Sequence, residues 1–438
     1  MTEAFNIRRL NSADSGFKAQ LDALLSWESV SDGAVNETVM AIIARVRAEG
    51  DAAVMALTNQ HDQTQFTDPA QMHLSRDDLH AAWLRLDPAL QQALEVAVAR
   101  VRSFHERQLQ PGWSYVDELG AELGQKITPM DRVGVYVPGG SAPLASSVVM
   151  AAVTAKVAGV PDVIMAHPTP RGEVSDFVLG AAWLSGVDQA FLMGGAQAVA
   201  ALAYGTEQVP AVDKIVGPGN IYVATAKRAV FGQVGIDMIA GPSEVLVVSD
   251  GSSRPDWVAM DLFSQAEHDP QAQALLISPD AQFIDAVAAE MARLLPTLER
   301  AKIIRTSLAD RGALIHVPSM AEAISLINRI APEHLELCTE DPKQYLADIR
   351  HAGAIFLGRY TSEALGDYVA GPNHVLPTSG TARFSSPLGV YDFQKKTSII
   401  HCSAAAAAEL GRAASPLARG ELLTAHARSA EFRIPEEL

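Results

Sequence analysis

The sequence is short of nearly everything that would give it an extreme physical character. Its 438 residues hold two cysteines, Cys338 and Cys402, which excludes a small disulfide-stapled scaffold. It has no long hydrophobic run. The most apolar stretch, 146–167, is broken by Lys156, Pro161 and Asp162, whereas a bilayer span takes about 20 mostly apolar residues; no membrane partner is expected. Positive charge is scarce, with 34 Lys and Arg against 51 Asp and Glu, a net −17. That balance excludes non-specific nucleic-acid binding, which needs clustered Lys and Arg; its ordinary meaning is solubility. The first nine residues carry no apolar segment of a secretory signal, so a cytoplasmic chain is expected. What remains is globular composition, 48% apolar and 19% charged, which excludes an intrinsically disordered chain. At about 150 residues per domain the length suggests about three domains.

Residues 1 to about 110 read as helical, with apolar positions at helical spacing over 39–57 and 90–104. From Arg132 the texture changes. Short β-branched runs alternate with Ala-rich helical windows: 133–137, 162–165, 189–193 and 213–216, then a second series at 244–248, 274–277 and 354–357. Such alternation predicts two α/β units, about 130–240 and 243–360, each with a mostly parallel sheet covered on both faces. The tail from about 389 is too small to bury a core alone and must dock on this chain or on a partner subunit.

Five segments carry candidate chemistry. Gly-rich turns at Gly139-Gly140, Gly194-Gly195 and Gly217-Pro-Gly-Asn220 follow strands and precede helices. Backbone N–H groups and the helix dipole make such ends anion sites. None is a G-x-G-x-x-G, and a plain tight turn would leave the same residues. In Ser264-Gln-Ala-Glu-His268, Gln265 and His268 share a helix face and could begin a metal site, or His268 could simply close the helix before Asp269-Pro270. In Ala331-Pro-Glu-His-Leu335, Pro332 fits the first position of a helical turn, which would set Glu333 and His334 side by side as two candidate bases or as a surface polar pair. Gly366-Asp-Tyr-Val-Ala-Gly-Pro-Asn-His374 reads as a loop, placing Asp367 and His374 on irregular backbone. Glu421 and His426 are five apart and only partly share a face. The cysteines read as inert buried thiols, which argues against a covalent thiohemiacetal route.

Taken in order, eight short runs resemble the histidinol dehydrogenase family: 135–140, 194–198, 217–220, 240–244, 264–268, 331–335, 371–378 and 382–386. The resemblance implies two incomplete Rossmann-like parallel-sheet domains plus two small, mostly helical extensions in a domain-swapped dimer. It divides the chain into a substrate and metal domain of 30–113 with 243–388, a nucleotide-binding domain of 135–242, an extension of 1–29 with 114–134, and a C-terminal domain of 389–438 docking on the partner subunit. It implies one Zn2+ per subunit on Gln265, His268, Asp367 and His426, and proton acceptors at Glu333 and His334. Substrate contacts are implied at Ser243, Gln265, His268, His334, Asp367, Glu421 and His426, and NAD contacts at Tyr136, Gln197 and Asn220. The implied reaction is the two-step, NAD-dependent oxidation of L-histidinol through L-histidinaldehyde to L-histidine, at a site shared between the two chains of a homodimer. A related zinc- and NAD-dependent enzyme acting on another small alcohol, such as sulfopropanediol, is the alternative inside the family; the run Ser385–Gln394 resembles the histidinol enzymes. Outside it stand a metallohydrolase, which would not need the Gly-turn series, and a non-catalytic metal-binding protein, which would not need two bases.

Overall fold

The computed structural model describes residues 6–26, 33–139 and 144–435. Gly140 and the outermost parts of the expected N- and C-terminal extensions lie outside the described residues.

Two six-stranded sheets organise the chain. The first runs in the order His73–Leu74, Gln189–Phe191, Asp162–Ala166, Arg132–Tyr136, Lys214–Val216, Gly235–Ile236, parallel except for its first edge strand. The second is wholly parallel, in the order Arg8–Asn11, Ala313–His316, Gln273–Ser278, Glu244–Ser249, His334–Cys338, Ala354–Leu357. The sequence reading of two parallel α/β units holds. In each sheet the first long strand is central, and later strands add on one side and then on the other. A crevice for ligands opens where the order reverses.

The burial follows from composition. Helix Ala145–Val157 is apolar on every side and buries ten of its thirteen residues, as a helix enclosed within a core must. Its alanines let it lie close to the sheet beneath.

Three features depart from the sequence reading. Arg8–Asn11 lies in the region read as helical, yet it forms the edge of the second sheet; only Leu10 of its four residues is buried, so no periodicity marks it. The C-terminal extension is mostly helical, in Ala404–Gly420 and Thr424–Glu431, but its strand Gln394–Cys402 joins Trp113–Val116 and Ala121–Pro129 of the N-terminal extension in an antiparallel sheet that was not expected. Gln394–Cys402 buries none of its residues, so it lacks the one-sided alternation that reveals a strand. Finally, Val39, Ile43, Leu57, Leu79, Leu94 and Val101 pack with the first sheet, whereas the expectation grouped 30–113 with 243–388. An amphipathic face announces that it will be covered, but not by which sheet.

A buried ion pair fixes the turn that follows strand Lys214–Val216. The side chains of Lys227 and Asp237 are 2% and 1% exposed. The Gly217 amide donates to Asp237 Oδ2 at 2.7 Å, and its carbonyl accepts from Lys227 Nζ at 2.9 Å. Gly217 has φ 113°, and a Cβ there would sit 2.1 Å from the Tyr136 carbonyl oxygen, so only glycine fits. Lys227→Met leaves Asp237 buried and unpaired and is expected to lower unfolding free energy in urea by about 3–5 kcal/mol. The double variant Lys227→Met/Asp237→Asn is expected to recover part of that loss.

Candidate active site

The convergent polar residues lie at the amino-terminal edge of the second sheet. Glu244 and His334 begin neighbouring strands, with His334 paired to Val245 in register. Gln265 occupies the last turn of helix Pro255–Ala266, and the His268 amide donates to the Gln265 carbonyl at 3.1 Å just beyond it. Asp367 sits on Gly366–Ala370, a single π-helical turn continuing the short helix Glu363–Leu365. Such turns are rare and tend to mark functional sites. Gly366 is required there, because a Cβ would come within 2.4 Å of the Phe356 ring.

Two local expectations are corrected. Pro332 does not open a helical turn. Ala331, left-handed at φ 53°, caps helix Met320–Ile330, and His334 already belongs to a strand. Pairing with neighbours on both sides overrides the Pro-Glu-His local preference. Asp367 lies not on a loop but on that π-helical turn, whose hydrogen bonds the Gly/Pro-rich sequence does not advertise.

The imidazole of His334 is the hub. Its Nδ1 lies 3.0 Å from the Glu244 carbonyl oxygen and 3.0 Å from Gln265 Nε2. The Glu244 carbonyl can only accept from Nδ1 and the Gln265 NH2 can only donate to it, so the two contacts belong to different protonation states of the ring; Nε2 is the nitrogen turned toward Asp367 Oδ1, 3.5 Å away. Glu333 Oε2 lies 3.7 Å and Glu363 Oε1 3.9 Å from Nδ1. The Glu333 carboxylate accepts the Glu244 amide at 2.8 Å through Oε2. His374 Nδ1 donates to the Asp367 carbonyl at 2.9 Å.

Burial and like charge set the electrostatics. Glu333 is pushed up to about 7 by burial, only partly countered by His334. Glu244 and Glu363 are each raised to about 8, mainly by burial, with Glu333 adding to the shift. Burial would pull His334 down, but Glu363, Glu333 and Asp367 overcome it and hold it well above its ordinary value. Asp367 is held low despite burial, by His334 first, then His374 and His268. His268 is lowered by burial, which favours the neutral imidazole, the form that ligates metals.

This anionic pocket fits a divalent cation. Gln265 Oε1, His334 Nε2, Asp367 Oδ1 and Glu363 Oε2 are buried without a hydrogen-bond partner. His334, Glu363 and Asp367 offer ligand atoms within 4.8 Å of one another. Oxygen and nitrogen donors without thiolate suit zinc.

Of the expected residues, Gln265, Glu333, His334 and Asp367 are brought together, with His268 in electrostatic reach of Asp367. Ser243 is half-buried beside Glu244. Glu421 and His426 are exposed on the tail and, among the described residues, make no hydrogen bond or ion pair to the others. Tyr136 and Gln197 are buried at the carboxyl end of the first sheet, where the Tyr136 hydroxyl accepts the Gly195 amide at 3.1 Å. Asn220 is exposed; its Oδ1 caps helix Ile221–Val230, leaving its NH2 group to face outward. Sequence reasoning missed Glu244, Glu336 and Glu363. His334, Glu336 and Cys338 alternate with leucines, and a strand reading of that run would have put them on one face.

The family described as histidinol dehydrogenase matches residues 26–434. The histidinol dehydrogenase of Pseudomonas aeruginosa is 66% identical, the match covering 100% of this chain and 99% of that one. That of Methylococcus capsulatus is 61% identical over 99% of each. A crystal structure of histidinol dehydrogenase from Elizabethkingia anophelis superposes with TM-score 0.91 at 32% identity, covering 98% of both chains.

The raised Glu333 carboxyl makes a stability prediction. Its folded value, about 7, exceeds its ordinary 4.5, so the folded chain holds this proton to higher pH than the unfolded one. The cost of ionising it is absent below pH about 4.5, grows through that window, and is complete above about 7. Glu333→Gln removes the cost. In chelator, the variant is expected to be more stable than the parent by up to about 3 kcal/mol at pH 8 and unchanged at pH 4, read by urea unfolding.

Proposed function

The chain belongs to the histidinol dehydrogenase family, and on that premise we propose that it oxidises L-histidinol to L-histidine in two NAD-dependent steps through L-histidinaldehyde. It is an NAD-dependent oxidoreductase of histidine biosynthesis. Among the described residues no helix is long and apolar enough to cross a membrane; the reading carries with it a cytoplasmic enzyme. The observation that carries the site is the convergence of Gln265, the Glu333–His334 pair and Asp367 from separate elements, with unpartnered buried atoms on three of them.

Gln265, His268 and Asp367 would hold zinc, with His426 supplied by a second copy of the chain. Exposed Leu417, Leu422 and Phe432 on the same tail support docking onto such a copy. When bound, the metal would supply a positive centre for the substrate's nitrogen atoms, and the nucleotide would supply the hydride acceptor. The chain's own residues handle protons. His334 accepts the hydroxyl proton through Nε2 in the first step. A ligated Nε2 would have no lone pair left, so His334 is assigned to proton transfer and not to the ligand set. In the second step Glu333 accepts the proton of the water that adds to the aldehyde. Its Oε2 is occupied by the Glu244 amide, which leaves Oε1 to take the proton. Burial makes it a stronger base than an exposed carboxylate. Asn220, with Tyr136 and Gln197 beneath the Gly194–Gly195 turn, would position the nucleotide.

NADH yield per histidinol consumed tests the reaction: two supports the full oxidation, and one shows release at the aldehyde. Glu333→Gln is expected to lower histidinaldehyde oxidation by about 10²–10⁴-fold. In the parent, that step should rise with pH as the carboxyl ionises, and the pH dependence should be absent in Glu333→Gln. For the shared site, mixing inactive His426→Ala with inactive His334→Ala chains is expected to restore part of the activity. No recovery after verified subunit exchange would refute sharing.

A further inference from the structure

Behind the site lies a second buried acidic group that the proposed reaction does not use: Asp261, Glu336 and Cys338. Asp261 is one helical turn before Gln265 on the same helix, hence on the same face. Glu336 follows His334 by two residues on the same strand, hence on the same side. Glu336 is fully buried. Its Oε1 accepts the backbone N–H of Glu363 at 2.7 Å, at the start of the turn that leads to Asp367. Its carboxyl also hydrogen-bonds the Asp261 side chain, and Oε2 accepts from Cys338 Sγ at 3.8 Å. One side chain therefore touches all three elements that bring Gln265, His334 and Asp367 together.

We propose that Glu336 is a positioning residue for the metal centre: by bonding Asp261 and the Glu363 amide at once, it sets the spacing of the helix, the strand and the π-helical turn that carry the ligands and the base. The inference rests on the metal-site reading above. Two carboxyl groups in contact need a proton between them. Glutamine can stand in for Glu336, since its oxygen accepts from Glu363 and its NH2 donates to Asp261. An isosteric apolar side chain does neither, and it leaves the Glu363 amide buried and unbonded.

The test measures zinc affinity by competition with a chromophoric chelator and the visible spectrum of the cobalt-loaded protein, alongside thermal melting. Glu336→Gln is expected to bind zinc within about twofold of the parent, with the same cobalt bands. Glu336→Leu is expected to bind about 10–100-fold more weakly, the range seen when supports of ligands are removed, with shifted bands. Asp261→Leu should move both readouts in the same direction. Parent-like affinity and spectrum in folded Glu336→Leu would overturn the proposal, as would a Glu336→Gln variant as weak as Glu336→Leu. If Glu336→Leu shows no cooperative melt, half-buried Asp261→Leu decides by the same criterion. A second ion per parent chain, lost on Glu336→Leu, would instead make the trio a ligand set and overturn it too. Asp367→Asn separates the two layers: it should lose zinc in any case, and parent-like binding there would remove the metal-site reading and the proposal with it.

Discussion

The carboxyl groups around His334 cannot all be ionised without positive charge among them. Glu244, Glu333, Glu336 and Glu363 are each raised by burial and by neighbouring carboxylates, while Asp367 is held low by the three histidines around it. One imidazole is asked to balance several acids, and it is held well above its ordinary value as a result. A divalent cation held there would relieve that demand. The same constraint gives Gln265 its sense. It adds an oxygen donor without adding another charge, where a carboxylate would deepen the imbalance.

Hydride chemistry needs the nucleotide and the metal within reach of each other, and the topology supplies this with little machinery. Ligands of open parallel sheets collect at the carboxyl ends of strands. The residues proposed to contact the nucleotide fit that rule: Tyr136 ends a strand of the first sheet, and Gly194–Gly195 and Gly217–Asn220 follow strand ends. The second sheet does the reverse, with Glu244 and His334 at amino ends. The chain passes from Gly235–Ile236, the last strand of the first sheet, to Glu244–Ser249, the central strand of the second, through residues 237–243 alone. Seven residues span at most about 25 Å, so the carboxyl edge of one sheet is tied close to the amino edge of the other. The connector is itself pinned: the Gly241 amide donates to Thr378 Oγ1 at 2.7 Å. A site at the amino edge is thus a consequence of joining two sheets in series.

How much of this was legible follows from what each signal depends on. The two strand series were legible because strands covered on both faces read as continuous apolar runs, as Glu244–Ser249 and Gln273–Ser278 do apart from their first and last residues. The end of helix Pro255–Ala266 was legible from the Pro stop, although His268 lies beyond the helix and not on the face it was expected to share with Gln265. Glu333 and His334 were read on the wrong backbone. Pro332 favours a helical start locally, but two flanking strands decide otherwise, and a single sequence does not show its neighbours. The antiparallel sheet was hidden because Gln394–Cys402 turns neither face to a core. The acids at 336 and 363 were hidden for the opposite reason. Buried carboxylates look like surface residues in composition, and what marks Glu336 is its alternation with leucines in a strand that had to be recognised first. Legibility therefore fails at the point where a residue's meaning comes from a partner far along the chain. Asp261, Glu336 and Glu363 span 102 positions and meet behind one imidazole. The chemistry a pocket performs can be named from its polar residue types, but the charge balance that lets it perform is set by packing.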